Sequence, residues 1–98
     1  MKAVELVRRR IIYSEVAFAE LVLWQLPAPL TGSSHSYKYR LAYVVRGVCV
    51  LRYDNESGKG DHRHMGRRQS DYVFEGVEAL IASFQADIER INRENRDA

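Results

Sequence analysis

The most regular pattern in this 98-residue chain lies in residues 37–53, which read YKYRLAYVVRGVCVLRY. Large apolar side chains fall on every second position from Tyr37 to Val45, and this period of two predicts a β-strand with one buried face. Arg46-Gly47 then interrupts the run, and a second apolar run follows from Val48 to Tyr53. We therefore predict an antiparallel hairpin with a tight turn.

Two more strands are predicted before this hairpin, from Val4 to Tyr13 and from Val16 to Leu26. The second run is apolar at both parities, which suits a central strand covered on both faces or a face used to form a homo-oligomer. A helix is the alternative for residues 18–25, because periodicity does not separate the two in short apolar runs. We favour the strand. Residues 27–34 then form a loop rich in Pro, Gly and Ser.

The end of the chain predicts a helix that covers this sheet. Six apolar residues fall at offsets 0, 3, 4, 7, 11 and 14 and form one stripe: Val77, Leu80, Ile81, Phe84, Ile88 and Ile91. We predict one α+β domain over residues 1–98, a four-stranded antiparallel sheet covered on one face by a C-terminal helix. Tyr39 and Tyr43 are expected in its core.

Composition limits the class of protein. A hydrophobic fraction of 46% is ordinary for a folded chain, and the net charge of +2 is modest. Basic residues gather between Lys59 and Arg68, so a polyanion can be attracted at one place. The single Cys49 lies in an apolar run and is expected to be a buried, inert thiol. No signal peptide or membrane-spanning stretch is apparent, so we expect a soluble cytoplasmic protein without membrane association.

The most polar part of the chain, residues 54–64 (DNESGKGDHRH), is predicted as a loop after the last strand. Its glycines allow sharp turns. If residues 62–64 are extended, His62 and His64 project from the same side, roughly 6–7 Å apart.

One interpretation of this segment is RNA cleavage without a metal. One imidazole would take a proton from a 2′-hydroxyl, and the other would protonate the leaving oxygen. Lys59 and Arg63 would stabilise charge on the phosphorane. Histidine suits both proton transfers because its unperturbed pKa, about 6.5, lies near working pH.

Two other interpretations remain open on the residues alone. In one, His62 and His64 bind a divalent metal together with Asp54 or Asp61, since imidazole and carboxylate are common ligands. In the other, the segment is a solvated basic loop that binds an acidic partner.

Residues near this segment add weaker signals. Lys38 and Arg40 share one face of the third strand, which indicates either a phosphate-binding surface or a solvated sheet face. Arg52 is a further candidate for that face, and the solvated role is favoured for it. His35 lies in the preceding loop, within reach of the polar segment, and we favour a surface histidine.

Three blocks, HSYKYRLAY (residues 35–43), RYDN (52–55) and GKGDHRH (58–64), resemble the TumE family of toxin–antitoxin proteins. The order of strands, loop and closing helix is also similar, over nearly the whole chain. Carried over position by position, the resemblance implies a functional cluster of Tyr39, Arg40, Asp54, Asn55, Lys59, Asp61, His62 and His64.

The resemblance implies a growth-inhibiting prokaryotic toxin that is neutralised by a cognate antitoxin, often one with a helix-turn-helix domain. We predict an endoribonuclease, with RNA and the antitoxin as partners. Its rivals are a non-enzymatic module that binds nucleic acid or a partner, and a metal-dependent hydrolase or nucleotide transferase. No cofactor is expected, and a divalent metal is the alternative.

Most of these residues, though not Tyr39 or Asp61, have an assigned role in this hypothesis. His62 and His64 act as acid and base, and Asp54 orients a histidine. Lys59 and Arg40 stabilise phosphate charge, and Asn55 binds a base or fixes the loop. The RNA-binding set is completed by Lys38 and Arg63.

Overall fold

The computed structural model describes residues 2–97, with side chains for residues 2–95. Six antiparallel strands form one sheet in sequential order, and one helix follows. The elements are β1 Val4–Ser14, β2 Ala17–Gln25, β3 Tyr37–Val45, β4 Val48–Glu56, β5 Gly60–Met65, β6 Arg68–Asp71 and α1 Val77–Asp97. Within this described part of the chain, no helix is long and apolar enough to cross a membrane.

The α+β class and the C-terminal helix on an antiparallel sheet are confirmed, but the prediction of four strands is wrong. The polar segment is a hairpin and not a loop. β4 continues to Glu56, and β5 pairs with it from Gly60 to Met65. The sequence pattern gives no sign of β5, because Met65 is the one apolar side chain in GDHRHM. Backbone pairing to β4 and β6 defines this strand, rather than an apolar face.

The second apolar run is a strand, as favoured, and the helix alternative is wrong. β2 pairs along its length with β1 on one side and β3 on the other. Its alternate residues from Ala17 to Leu23 are buried, and the residues between them are half-buried. One of these, Phe18, lies under the Arg10 guanidinium, which is 4.4 Å from the ring centroid.

The turn between β3 and β4 has the geometry that the sequence predicts. Arg46 and Gly47 have φ angles of 51° and 79°, the two positive values that suit a tight hairpin turn. A register shift follows, and Cys49 lies opposite Val44 near the end of the hairpin. Cys49 is exposed, so the expectation of a buried thiol is wrong. It lies on the face that α1 does not cover.

The core lies between α1 and one face of the sheet. Leu80, Phe84 and Ile88 of the helix are fully buried, as their helical spacing predicts. The facing positions on the strands are Ala17, Ala19, Leu21, Leu23, Tyr39, Leu41, Tyr43, Leu51 and Tyr53. Tyr39 and Tyr43 are each 1% exposed, which confirms their place in the core.

A buried carboxylate also ties the helix to the sheet. Asp87 is 6% exposed, and its Oδ2 accepts a hydrogen bond of 2.5 Å from the Tyr53 hydroxyl. Arg90 donates to Oδ1 at 2.7 Å, and Arg63 reaches Oδ2 at 3.4 Å. The charge of Asp87 is therefore satisfied by three donors, as a buried ion requires.

Candidate functional site

Strand alternation divides the polar segment between the two faces of the sheet. On β5, Asp61 and Arg63 contact groups on the helix-covered side, whereas His62 and His64 lie on the opposite face. We call this second face the open face. Its polar residues include Lys38, Arg40, Arg52, Asp54, His62 and His64.

The two histidines of the open face form a pair at the spacing expected for an extended strand. Their ring centroids are 6.4 Å apart. Across the neighbouring strand, His62 is the Cα partner of Asp54 and His64 is the Cα partner of Arg52. The hairpin therefore holds an imidazole pair beside a carboxylate and a guanidinium, on backbone that is paired on both sides.

His64 lies between opposite charges. Its Nε2 is 3.1 Å from an Arg52 guanidinium nitrogen and 3.7 Å from Asp54 Oδ1. A guanidinium only donates hydrogen bonds, so this contact requires the tautomer of His64 in which Nε2 is the acceptor. The Nε of Arg52 is 3.0 Å from Asp54 Oδ2, close enough for an ion pair but not aligned as a hydrogen bond.

His62 is held less tightly. Its Nε2 is 3.5 Å from Asp71 Oδ1, and the Asp71 side chain is 95% exposed. The His62 side chain is only 16% exposed, but a pair with so exposed a partner contributes little to stability. Both imidazoles border a cavity of about 210 Å³, with Lys59 and Glu56 at its rim. Lys59 pairs with Glu56 at 3.3 Å and remains 72% exposed, so its side chain is accessible to a ligand.

Arg40 belongs to the same open face. It is the Cα partner of Asp54, which is in turn the partner of His62. Adjacent strands lie about 4.8 Å apart, so Arg40 is roughly 10 Å from His62. Lys38 is half-buried, and its ammonium donates to the carbonyl of Asn55.

Asn55 has a different position from the one expected of an RNA-binding residue. It is 2% exposed. Its Oδ1 accepts from the Tyr39 backbone N–H at 3.0 Å, and its Nδ2 donates to the Tyr37 carbonyl at 2.6 Å. Both ends of the amide are occupied within the fold, so Asn55 is not accessible to a base. Of its two expected roles, fixing the local structure agrees with this geometry.

Asp61 lies in a second polar cluster, away from the histidine pair. Its Oδ2 accepts from the Tyr39 hydroxyl at 2.6 Å and lies 2.8 Å from Nε2 of His35. Burial first, and then the hydrogen bond to Asp61, raise the pKa of Tyr39 far above its ordinary value of 10. Tyr39 is therefore a protonated donor in this cluster.

The expectation that His35 is a surface histidine is wrong. Its side chain is 10% exposed, and its ring stacks on Phe74 at a centroid distance of 4.0 Å. The Tyr37 backbone N–H donates to Nδ1 of His35. Nε2 therefore carries the ring proton and donates the hydrogen bond to Asp61. No periodic signal identifies this contact, because it joins a loop, β5 and the segment before α1.

The remaining candidates are also divided by face. Arg63 lies on the helix-covered side with Asp87 and does not join the histidine pair. Asp61 is likewise separated from His62 and His64, whereas Asp54 is beside them. Within the described residues, no group of three or more His, Cys, Asp or Glu side chains is arranged to hold a metal ion.

Comparison with known proteins identifies the family. No curated protein and no solved structure matches this chain. The family model described as Toxin TumE matches residues 3–92, nearly the whole chain. This range contains the open face, the Asp61 cluster and most of α1. The chain therefore belongs to the Toxin TumE family.

Proposed function

We propose that this protein is the toxin of a toxin–antitoxin pair and that it cleaves RNA at the open face. Membership of a toxin family supports the first part. One observation carries the second part: the ring centroids of His62 and His64 lie 6.4 Å apart on a strand paired on both sides, beside Arg52 and Asp54. At this spacing, the oxygens of one phosphate can lie at hydrogen-bond distance, about 2.8 Å, from both rings.

In the proposed reaction, the RNA supplies its own nucleophile. His64 takes the proton of a 2′-hydroxyl, and the 2′-oxygen forms a bond to the adjacent phosphorus. The bond from phosphorus to the 5′-oxygen breaks, and protonated His62 gives its proton to that oxygen. The products are a 2′,3′-cyclic phosphate and a 5′-hydroxyl. General acid and base groups of this kind typically increase the reaction rate about 10²–10⁴-fold.

The assignment of His64 as the base follows from its contacts. Its Nε2 faces the Arg52 guanidinium, which can only donate, and a base likewise needs this nitrogen as an acceptor. An incoming phosphate competes for the Arg52 guanidinium and frees Nε2 for the 2′-hydroxyl. Arg52 then stabilises the negative charge on the phosphorane, with Lys59 at the rim of the cavity. Asp54 pairs with Arg52 on the same strand and so orients His64 through the guanidinium that the imidazole contacts.

A toxin of this kind implies a cognate antitoxin. We propose that the antitoxin covers the histidine pair with acidic or apolar surface, and that it carries a helix-turn-helix domain. Competition tests this arrangement: the toxin–antitoxin complex should fail to bind or cut RNA, and the antitoxin should protect the open face from hydrogen exchange.

The experiment for cleavage uses the purified protein with end-labelled RNA, with and without chelator. Fragments should form in both conditions, and His62→Gln and His64→Gln should each lower the rate about a hundredfold or more. Glutamine keeps polar contacts but cannot transfer a proton at neutral pH. Cleavage lost with chelator would instead support a metal-dependent hydrolase. Intact RNA in enzyme excess, with growth inhibition retained in both variants, would favour a non-enzymatic binder.

A further inference from the structure

The open face contains a second cavity that the proposed reaction does not use. This groove, of about 320 Å³, is lined by Val22, Trp24, Lys38, Arg40, Asp54 and Glu56. Its volume lies at the lower end of the range for small-molecule sites. We call it the tryptophan groove. Asp54 and Glu56 also border the histidine cavity, so the two cavities share a wall.

We propose that the tryptophan groove binds one nucleotide of single-stranded RNA, next to the phosphate that is cleaved. The base stacks on Trp24, and Arg40 binds the phosphate of that nucleotide. This inference rests on the proposed function for the identity of the ligand, because it adds a binding subsite to the same open face.

The charges of the groove favour an anionic ligand. Its two acidic residues already have basic partners, since Asp54 pairs with Arg52 at 3.0 Å and Glu56 pairs with Lys59 at 3.3 Å. Arg40 is exposed and forms no ion pair with any residue in the described range 2–95. A guanidinium in this state can bind a phosphate through two parallel hydrogen bonds.

The aromatic residue favours a base over a free anion. Trp24 is half-buried on β2, with Lys38 as its Cα partner on β3, and it borders the groove. An aromatic side chain on a sheet face, next to basic residues, is a common platform for an unpaired base. Such stacking accepts any base, because every base has a π-face.

The strand register places this subsite in line with the histidine pair. Val22, Arg40, Asp54 and His62 are successive Cα partners on β2, β3, β4 and β5. Arg40 therefore lies two strands from His62, roughly 10 Å away. An RNA strand that crosses the sheet along this row meets Trp24 and Arg40 on one side of Asp54, and the histidines on the other.

Trp24 is the only tryptophan in the chain, so its fluorescence reports on this groove alone. The probe is a short 2′-O-methyl RNA oligonucleotide, which the proposed reaction cannot cut because the nucleophile is blocked. We expect saturable quenching with the wild-type protein. Arg40→Gln should weaken binding about tenfold, the size of one charged hydrogen bond. Arg93→Gln removes an exposed charge on α1 and should change the affinity for the oligonucleotide less than twofold.

Stacking is tested by anisotropy with a labelled oligonucleotide. Trp24→Leu should weaken binding about fivefold or more, and Trp24→Phe should retain most of it. The inference is overturned if saturating oligonucleotide leaves the fluorescence unchanged, if Arg40→Gln binds like Arg93→Gln, or if Trp24→Leu binds like Trp24→Phe.

The same titration separates this inference from the proposed function. A variant with both His62→Gln and His64→Gln should still show saturable quenching of Trp24 by the oligonucleotide and cut no RNA. If the wild type binds at Trp24 but cuts nothing, the nucleotide subsite stands and the cleavage proposal fails. If RNA is cut while the Trp24 and Arg40 variants bind like the wild type, the cleavage proposal stands and the subsite fails.

Discussion

Asp61 and His62 are adjacent in the chain, but their side chains lie on opposite faces of the sheet. Asp61 accepts hydrogen bonds from His35 and Tyr39 on the helix-covered side. His62 lies beside Asp54 and His64 on the open face. One strand of six residues therefore serves two purposes. We expect substitutions on its covered side to lower stability, and substitutions on its open side to lower activity.

Asp61→Ala tests the covered side. The change leaves the Tyr39 hydroxyl and the His35 Nε2–H without their acceptor, where Tyr39 is buried and the His35 side chain is 10% exposed. We expect the free energy of unfolding to fall by about 1–3 kcal/mol, measured by urea denaturation. The control is Asp71→Ala, at a side chain that is 95% exposed. This substitution should change the free energy of unfolding by less than about 0.5 kcal/mol. Equal stability of the two variants would contradict this account of Asp61.

Asn55→Asp tests the structural role of the buried amide. The substitution preserves shape but removes the donor to the Tyr37 carbonyl and adds a carboxylate at a position that is 2% exposed. We expect a loss of about 1–3 kcal/mol in the free energy of unfolding. Asn95→Asp, at an exposed position on α1, provides the matched control. If the two variants unfold at the same urea concentration, Asn55 does not fix the end of β4.

Stability at alkaline pH should depend on Tyr53. Burial first, and then the hydrogen bond to Asp87, raise the pKa of Tyr53 from 10.0 to about 12. The unfolded chain loses this proton near pH 10, so the contribution of Tyr53 to stability is complete below pH 10. It is lost as the pH rises through about 12. In urea denaturation, Tyr53→Phe should therefore lose less stability between pH 10 and 12 than the wild type.

Tyr37→Phe is the control for this measurement, because Tyr37 is a half-buried tyrosine whose hydroxyl has no hydrogen-bond partner within the described residues. Comparison with Tyr37→Phe shows how much of any change comes from losing a tyrosine hydroxyl that is not bonded to Asp87. Identical alkaline profiles for Tyr53→Phe and the wild type would show that the Tyr53 hydroxyl does not carry the effect.

The sequence predicts the parts of this fold that are built on apolar periodicity. β3 has the predicted bounds, and the stripe from Val77 to Ile91 forms the helix that covers it. β5 and β6 could not be predicted in the same way. Their residues are mostly polar, and their strand conformation depends on pairing to β4, a non-local interaction that no local pattern encodes.

In the candidate site too, some features follow from the local sequence pattern and others require the three-dimensional fold. The spacing of His62 and His64 follows from strand geometry once β5 is extended, so the sequence could predict the pair. The separation of Asp61 and Arg63 from that pair also follows from strand alternation, but only if the segment is known to be a strand. The contact of His35 with Asp61 spans 26 positions in the chain and requires the three-dimensional fold.

The chemical ends of the RNA fragments test the central claim most directly. Attack by the 2′-oxygen leaves a 2′,3′-cyclic phosphate on one fragment and a 5′-hydroxyl on the other. We predict that mass spectrometry of the wild-type products will detect these ends. The same RNA should not be cleaved when its riboses are 2′-O-methylated. Fragments with 3′-hydroxyl and 5′-phosphate ends, or cleavage of the methylated RNA, would contradict acid–base catalysis by His62 and His64.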